Sequence, residues 1–229
     1  MTSSSENNII NSWLQNAKPW VYAVQNNEIE SRSLITNKAI IDAILEKKPQ
    51  KVLDIGCGEG WLARELSLSG IHVRGVDVVP ELVDEANKQG GGTFQILSYK
   101  DLSKGVIKEK FDIVVCNFSL LGNESVSNIF QCIADLLNEE GYFIVQTIHP
   151  ISGCGDAEYK DGWRKGSWVG FSDNFTNPPP WYFRKLETWE ELFQHNGFSL
   201  HQIIEPYNPK TKASASIIFI GEIATKKKK

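Results

Sequence analysis

The stretch VLDIGCGEGWLARELSLSGIHVRGVDV, Val52 to Val78, decides the fold. An apolar run leads into Gly56, Gly58 and Gly60, a helix-like segment follows, and a second apolar run ends at Asp77. Strand, glycine loop, helix and strand make a βαβ unit with parallel strands. The backbone amides of such a loop can face a ligand at the helix N-terminus. The dinucleotide fingerprint G-x-G-x-x-G needs a third glycine where Trp61 stands, and an indole there obstructs close helix–strand packing. A P-loop is excluded because G-x-x-x-x-G-K-[ST] is absent. Asp77 can accept both ribose hydroxyls of an adenosine. Asp54, just before the loop, can orient it and accept from an ammonium, directly or through water. The residues therefore suit adenosine carrying a cationic, amino-acid-like group, with no grip for a pyrophosphate.

Strands and helices keep alternating outward from this unit. PELVDEANKQG reads as a helix with Pro80 in its first turn, and GTFQILSY as a strand. FDIVVCNF is almost wholly apolar, as in a strand covered on both faces. NESVSNIFQCIADLLNEEG reads as a helix capped by Asn123 and stopped by Gly141, and YFIVQTI as another buried strand. TWEELFQHNGF carries a capping-box pattern at Thr188 and Glu191. FSLHQIIEP and SASIIFIGEIA are joined by too short a loop for a helical crossover and should pair antiparallel. Toward the N-terminus, residues 1–8 offer little to bury and are expected to be disordered. IINSWLQNAKPWVYAV is helical with Pro19 breaking or bending it, and SRSLITNKAIIDAILEKKP is a second helix.

The chain has 229 residues, 41% hydrophobic and 23% charged, which suits one globular domain over 1–229. Its net charge of -4 argues against a nucleic-acid partner, which would need a broad basic face. Cys57, Cys116, Cys132 and Cys154 form no CxxC pair, so neither a metal site nor a redox motif is suggested. No window approaches a membrane span, and MTSSSENNIINSW lacks the pattern of a secretory leader. Free thiols in a cytoplasmic protein is the simplest expectation. Lys226–Lys229 reads as a solvated tail, with contact to acidic lipid or RNA as the alternative. Oligomeric state is left open.

Taken together, VLDIGCGEGWLA, GVDV, FDIVVCNFSLL and LLNEEGYFIVQT resemble, in order and spacing, the motifs of the class I S-adenosylmethionine-dependent methyltransferases. The likeness covers about residues 51–147. WYFRKLETWEELFQHNGF further resembles the quinone-biosynthesis methyltransferases and their small-molecule relatives. The resemblance implies an α/β, Rossmann-like sheet of seven strands in the order 3-2-1-4-5-7-6, with one strand antiparallel. A helical N-terminal cover (9–48) and an aromatic-rich, lid-like insertion after strand 5 (150–187) would flank it. It implies S-adenosyl-L-methionine as cofactor, with Gly56 and Gly58 at its methionyl part and Asp77 on its ribose. Ser98 and Tyr99 would flank adenine, and Asn117 and Phe118 would lie beside the sulfonium. Many relatives carry Asp where Ser98 stands, so the adenine amino group would use the Ser98 hydroxyl or a backbone carbonyl. Arg32 would meet the cofactor carboxylate, or else is a solvated arginine at a helix start.

Methyl transfer needs alignment, exclusion of water and, for a hydroxyl acceptor, removal of a proton. His149, on the rim beyond the fifth strand, is either that base or a structural residue before Pro150. The insertion is rich in aromatics. Trp163, Trp181 and Tyr182, with Trp20 of the N-terminal cover, are expected to wall an acceptor pocket; a satellite core or dimer contact is the alternative. Arg164 and Arg184 would bind an acidic group on the acceptor or pair with nearby carboxylates. The expected function is methylation of O or N on a small apolar or aromatic molecule. RNA or protein methylation and non-catalytic cofactor binding are the other classes; the base-methylating N/D-P-P-[YF] motif is absent, the matching place reading NFSL.

Overall fold

The apolar runs become strands β1 (Lys51–Ile55), β2 (His72–Asp77), β3 (Thr93–Ile96), β4 (Phe111–Asn117) and β5 (Leu137–Thr147). The insertion supplies short strands β6 (Gly162–Arg164) and β7 (Trp181–Phe183), and the chain closes with β8 (Phe198–Ile204) and β9 (Ile217–Ile223). The structure is a computed structural model that describes residues 2–224, so the Lys226–Lys229 tail lies outside the described residues. One sheet has the order β3-β2-β1-β4-β5-β9-β8, and β6 and β7 form a separate hairpin. Leaving that hairpin aside, this is the expected 3-2-1-4-5-7-6. Only β9 runs against its neighbours, pairing antiparallel with both β5 and β8.

Alternation along the strands builds a core on each face. Val52, Ile113, Val115 and Ile144 pack with Ile40 and Ile44 of α2 (Asn37–Glu46) and Leu62 and Leu66 of α3 (Trp61–Ser67). Leu53, Val114, Phe143 and Phe219 meet Phe130 and Ile133 of α6 (Glu124–Leu136) and Trp189 and Phe193 of α8 (Leu186–His195). Phe143, Phe193 and Phe130 form a chain of ring contacts at 4.9–5.3 Å. Helix α4 (Pro80–Gln89) follows β2, α5 (Tyr99–Ser103) follows β3, and α7 (Pro150–Cys154) opens the insertion.

Several local expectations are overturned by long-range contacts. Helix α1 runs unbroken from Thr2 to Gln25 with Pro19 inside it, and the expected disorder of residues 1–8 is absent from Thr2 onward. Contacts on both sides of Pro19 hold the helix. Glu6 accepts backbone N–H bonds from Asn123 (2.8 Å) and Glu124 (3.0 Å) and a hydroxyl bond from Ser125 (2.6 Å). A carboxylate from α1 thus caps α6, and the Asn123 side chain does not. At α8, Asp161 accepts from the Lys185 N–H and the Thr188 hydroxyl, both at 2.7 Å. The helix therefore begins at Leu186, and Thr188 lies within it instead of forming a capping box. Helix α6 ends at Leu136, because Leu137 already pairs with Phe111 in the sheet. A π-helical stretch, Arg32–Thr36, leads into α2 where one regular helix was expected.

Candidate active site

Strand order reverses between β1 and β4, and the loops after these two strands meet there. A β-carbon on Gly56 would stand 2.3 Å from Ser119 Cβ, and the Gly56 backbone has φ +78°, so the position accepts glycine alone without movement. The Ser119 hydroxyl donates to the Ile55 carbonyl at 2.6 Å, and the Tyr99 hydroxyl donates to the Ser119 carbonyl at 2.8 Å. Asp77, at the tip of β2, accepts from the Gly58 N–H through one oxygen and from the Val79 N–H through the other, both at 2.9 Å. The acid that ends one strand therefore shapes the glycine loop after another. The Trp20 indole nitrogen lies 3.6 Å from where a β-carbon on Gly58 would be, so α1 covers this loop.

The loop is rich in buried ionisable groups. Asp54 is 2% exposed and its Oδ1 has no hydrogen-bond partner among the described residues. Burial, with Asp77 and Glu59 nearby, pushes its pKa up to about 8. Burial also raises Asp77, against the pull of its backbone N–H bonds. Glu59 is fully buried and paired with Arg64. The Arg32 guanidinium lies 5.2 Å from the Trp20 ring and 4.8 Å from the Trp61 ring. Its Nε donates to Asn37 Oδ1 at 3.3 Å, while the buried Nη2 has no partner among the described residues. Burial lowers its pKa to about 10, which Glu59 opposes, so it stays charged at neutral pH. Cys57 and Cys116 are buried, and burial pushes both thiols up, which suits packing and not nucleophilic chemistry.

The remaining candidates divide between the two sides of β4. Ser98 caps α5, its hydroxyl accepting from the Asp101 N–H at 3.2 Å and donating to the Asp101 carboxylate at 2.6 Å. Asn117 ends β4 with its Oδ1 buried and unpartnered among the described residues, and Phe118 follows with φ +54°. Beyond β4, Trp181, Tyr182, Leu120 and His149 line a narrow cleft with Arg184 and Trp189. The Tyr182 N–H donates to the Leu121 carbonyl at 2.8 Å, tying the β6–β7 hairpin to the loop after β4. Trp163 packs edge-on to Tyr182 at 5.6 Å. Trp20 is not among these rings: the structure places it over the glycine loop instead. His149 Nδ1 accepts from the Ile151 N–H at 3.2 Å, capping α7, and Nε2 stands 3.4 Å from Glu205 Oε1. An accepting Nδ1 assigns the ring proton to Nε2. Both nitrogens therefore face protein, and a base role requires the Ile151 bond to open.

A family model described as a methyltransferase domain matches residues 30–203. The chain belongs to the class I methyltransferase family. Its motifs are those of methyltransferases that use S-adenosyl-L-methionine. A ubiquinone biosynthesis O-methyltransferase of Actinobacillus pleuropneumoniae is 29% identical over 108 residues, 44% of this chain and 46% of that protein. The match spans about half the length of the ubiquinone biosynthesis O-methyltransferases that the chain resembles. A 1,6-didemethyltoxoflavin-N1-methyltransferase of Burkholderia thailandensis, with S-adenosylhomocysteine bound, superimposes with a TM-score of 0.70. The match covers 98% of this chain and 91% of that one at 16% identity. An S-adenosylmethionine-dependent methyltransferase of Clostridium acetobutylicum gives a TM-score of 0.69 over 89% and 98% of the two chains, at 18% identity. At these identities the two structures establish a shared methyltransferase fold.

The residues of this methyltransferase crevice fit the cofactor. Arg32 Nη2 is a buried, unmatched donor for a carboxylate, and Asp54 Oδ1 a buried, unmatched acceptor for an ammonium. Glu59, Arg64 and Glu6 were not singled out from the sequence. Glu59 sits inside the glycine loop, GCGEG, and a charged residue within so tight a turn was the available signal. Nothing local marks Glu6, whose partners lie on a different helix.

Proposed function

We propose that the protein transfers a methyl group from S-adenosyl-L-methionine to an oxygen or nitrogen of a small apolar or aromatic molecule. One observation carries this reading. The glycine-loop crevice, with its unmatched Arg32 and Asp54 groups, and the cleft lined by Trp181, Tyr182 and His149 flank the same β4 loop. Arg32 would hold the carboxylate, Asp54 the ammonium and Asp77 the ribose, while Gly56 and Gly58 allow close backbone approach. Ser98 and Tyr99 would flank adenine, and Asn117 and Phe118 would border the transfer centre. When bound, the cofactor supplies an activated methyl group. The protein's part is then to align the acceptor and exclude water, tasks for α1 and the insertion over residues 150–187. For a hydroxyl acceptor, His149 would take the proton on Nδ1 after leaving Ile151, with Glu205 facing the resulting imidazolium at Nε2.

The free thiols of the four cysteines fit a cytoplasmic site of action. Among the described residues, no helix is long and apolar enough to cross a membrane. The test is incubation with methyl-labelled cofactor and, separately, a small-metabolite extract, total RNA and total protein. Label in a low-mass product supports the reading. Label in RNA or protein alone, or in none, refutes it.

A further inference from the structure

Arg32, half-buried, and Arg184, buried, are both charged, and each has a buried guanidinium nitrogen without a hydrogen-bond partner among the described residues. Arg32 lies at the cofactor crevice. Arg184 is 4% exposed and lines the aromatic cleft on the other side of β4. Its carbon Cζ stands 4.9 Å from the Tyr182 ring centroid and 5.1 Å from that of Trp189. Nη2 donates to the Asn123 carbonyl at 3.0 Å, which together with the two rings fixes the guanidinium plane. Nη1 is left free.

An internal counter-ion would explain such a residue, but Arg184 has no ion pair among the described residues. The acids that act on it are Asp161 and Glu6, and both are committed elsewhere. Asp161 caps α8 and Glu6 caps α6. Arg64, by contrast, is paired with Glu59, whereas Arg164 donates to the carbonyls of Glu158 and Lys160 through Nη2 and has its Nε unmatched among the described residues. A guanidinium held out of water with no counter-ion and one donor unmatched is unfavourable unless something else satisfies it.

We propose that Arg184 is the anchor for a carboxylate on the methyl acceptor, so that the acceptor joins a flat aromatic body to an acidic group. This rests on the methyltransferase reading above and names its substrate class. The carboxylate would meet Nη1 end-on, since Nη2 is held by Asn123. The closed cleft holds only about 10 Å³, so the body would enter as the β6–β7 hairpin opens and would then lie against Trp181 and Tyr182.

The experiment uses the full chain saturated with S-adenosylhomocysteine and follows tryptophan fluorescence and calorimetry. The probes are 4-hydroxybenzoate, 1-hydroxy-2-naphthoate, their neutral amides and phenyl phosphate. The wild-type protein should bind at least one acid about tenfold or more tightly than its amide, the size expected for one charged hydrogen bond. Arg184→Gln should erase that preference while leaving S-adenosylhomocysteine affinity unchanged. Acids binding no better than amides, including no binding of either, overturns the anchor. So does a preference that survives Arg184→Gln. Tighter binding of phenyl phosphate than of both acids overturns the carboxylate assignment. If Arg184→Gln does not fold, the wild-type comparison still decides, and Arg184→Lys must keep part of the preference. Failure to bind S-adenosylhomocysteine at all sinks the methyltransferase reading itself, whereas cofactor binding without charge preference sinks only the anchor.

Discussion

Asn16 and Thr176 are joined by two reciprocal hydrogen bonds. The Asn16 Nδ2 donates to the Thr176 carbonyl at 2.7 Å, and the Thr176 N–H donates to Asn16 Oδ1 at 2.8 Å. Asn16 is fully buried, and Ser12, one turn earlier, donates to the Asn177 carbonyl at 2.6 Å. Trp13 meets Trp168 edge-on at 5.9 Å beside these bonds. Helix α1 and the insertion are thus one mechanical unit.

Replacing Asn16 by Ala removes the partner of the Thr176 N–H, while the Thr176 carbonyl keeps the Trp168 indole as donor. The expected loss is about 0.5–1.5 kcal/mol for each bond removed. Thermal unfolding should show it, and the exchange of amide protons around Thr176 should quicken even under conditions where the sheet stays protected.

Ligand response should be shared across the same unit. Hydrogen exchange in α1 and in residues 163–183 is expected to slow together on adding S-adenosylhomocysteine, with β1, β4 and β5 unchanged. Protection appearing in one segment without the other would separate the cover into independent parts.

Asp77→Ala removes the proposed ribose acceptor and also releases the Gly58 and Val79 amides. At about 1.5–3 kcal/mol per charged hydrogen bond, affinity should fall at least tenfold. Gly58→Val, forced into φ +57° beneath Trp20, should do similar damage. Calorimetry with S-adenosylhomocysteine measures both, and unchanged affinity in Asp77→Ala would remove that residue from the site.

Asp54 gives the site a pH dependence. Its carboxyl holds its proton up to about pH 8 in the folded protein, far above the ordinary carboxylate range. Stability from this group is therefore complete below the ordinary carboxylate range and is lost as pH rises through about 8. Binding of an ammonium favours the ionised form, so cofactor affinity should strengthen as pH rises from about 6 toward 8, with protons released. Asp54→Asn should flatten the decline in melting temperature over that range and weaken cofactor binding. Melting curves against pH, and calorimetry in buffers of different ionisation enthalpy, test the two halves.

The parallel sheet was legible because each strand announces itself locally, by an apolar run and a glycine, proline or asparagine at its edge. Leu53, Val114 and Phe143 follow from period-two alternation. The glycine loop and Asp77 were legible for a related reason: their spacing is set within one βαβ unit. Glu6, Asp161 and Asn16 were not. Each places a polar side chain on a helix end or loop far along the chain, and local propensity carries no record of a remote partner. That is also why Asn123 and Thr188 misled as caps: an outside carboxylate took the exposed amides first. The position of Trp20 over the glycine loop was not legible because a helix bearing two tryptophans and a proline does not say which wall it covers.

The placement of α1 has a consequence for how the chain is made. Synthesis delivers this helix before every element it packs against: Val79 and Leu82 at the start of α4, then α6 at Asn123, then the insertion at Thr176. A nascent chain therefore carries Trp13 and Trp20 without α4 until about residue 82 is made, and Trp168, the edge-on neighbour of Trp13, follows only after β5. The cover over the glycine loop is thus made before the parts it rests on, and its contact with Thr176 forms only after that residue is made.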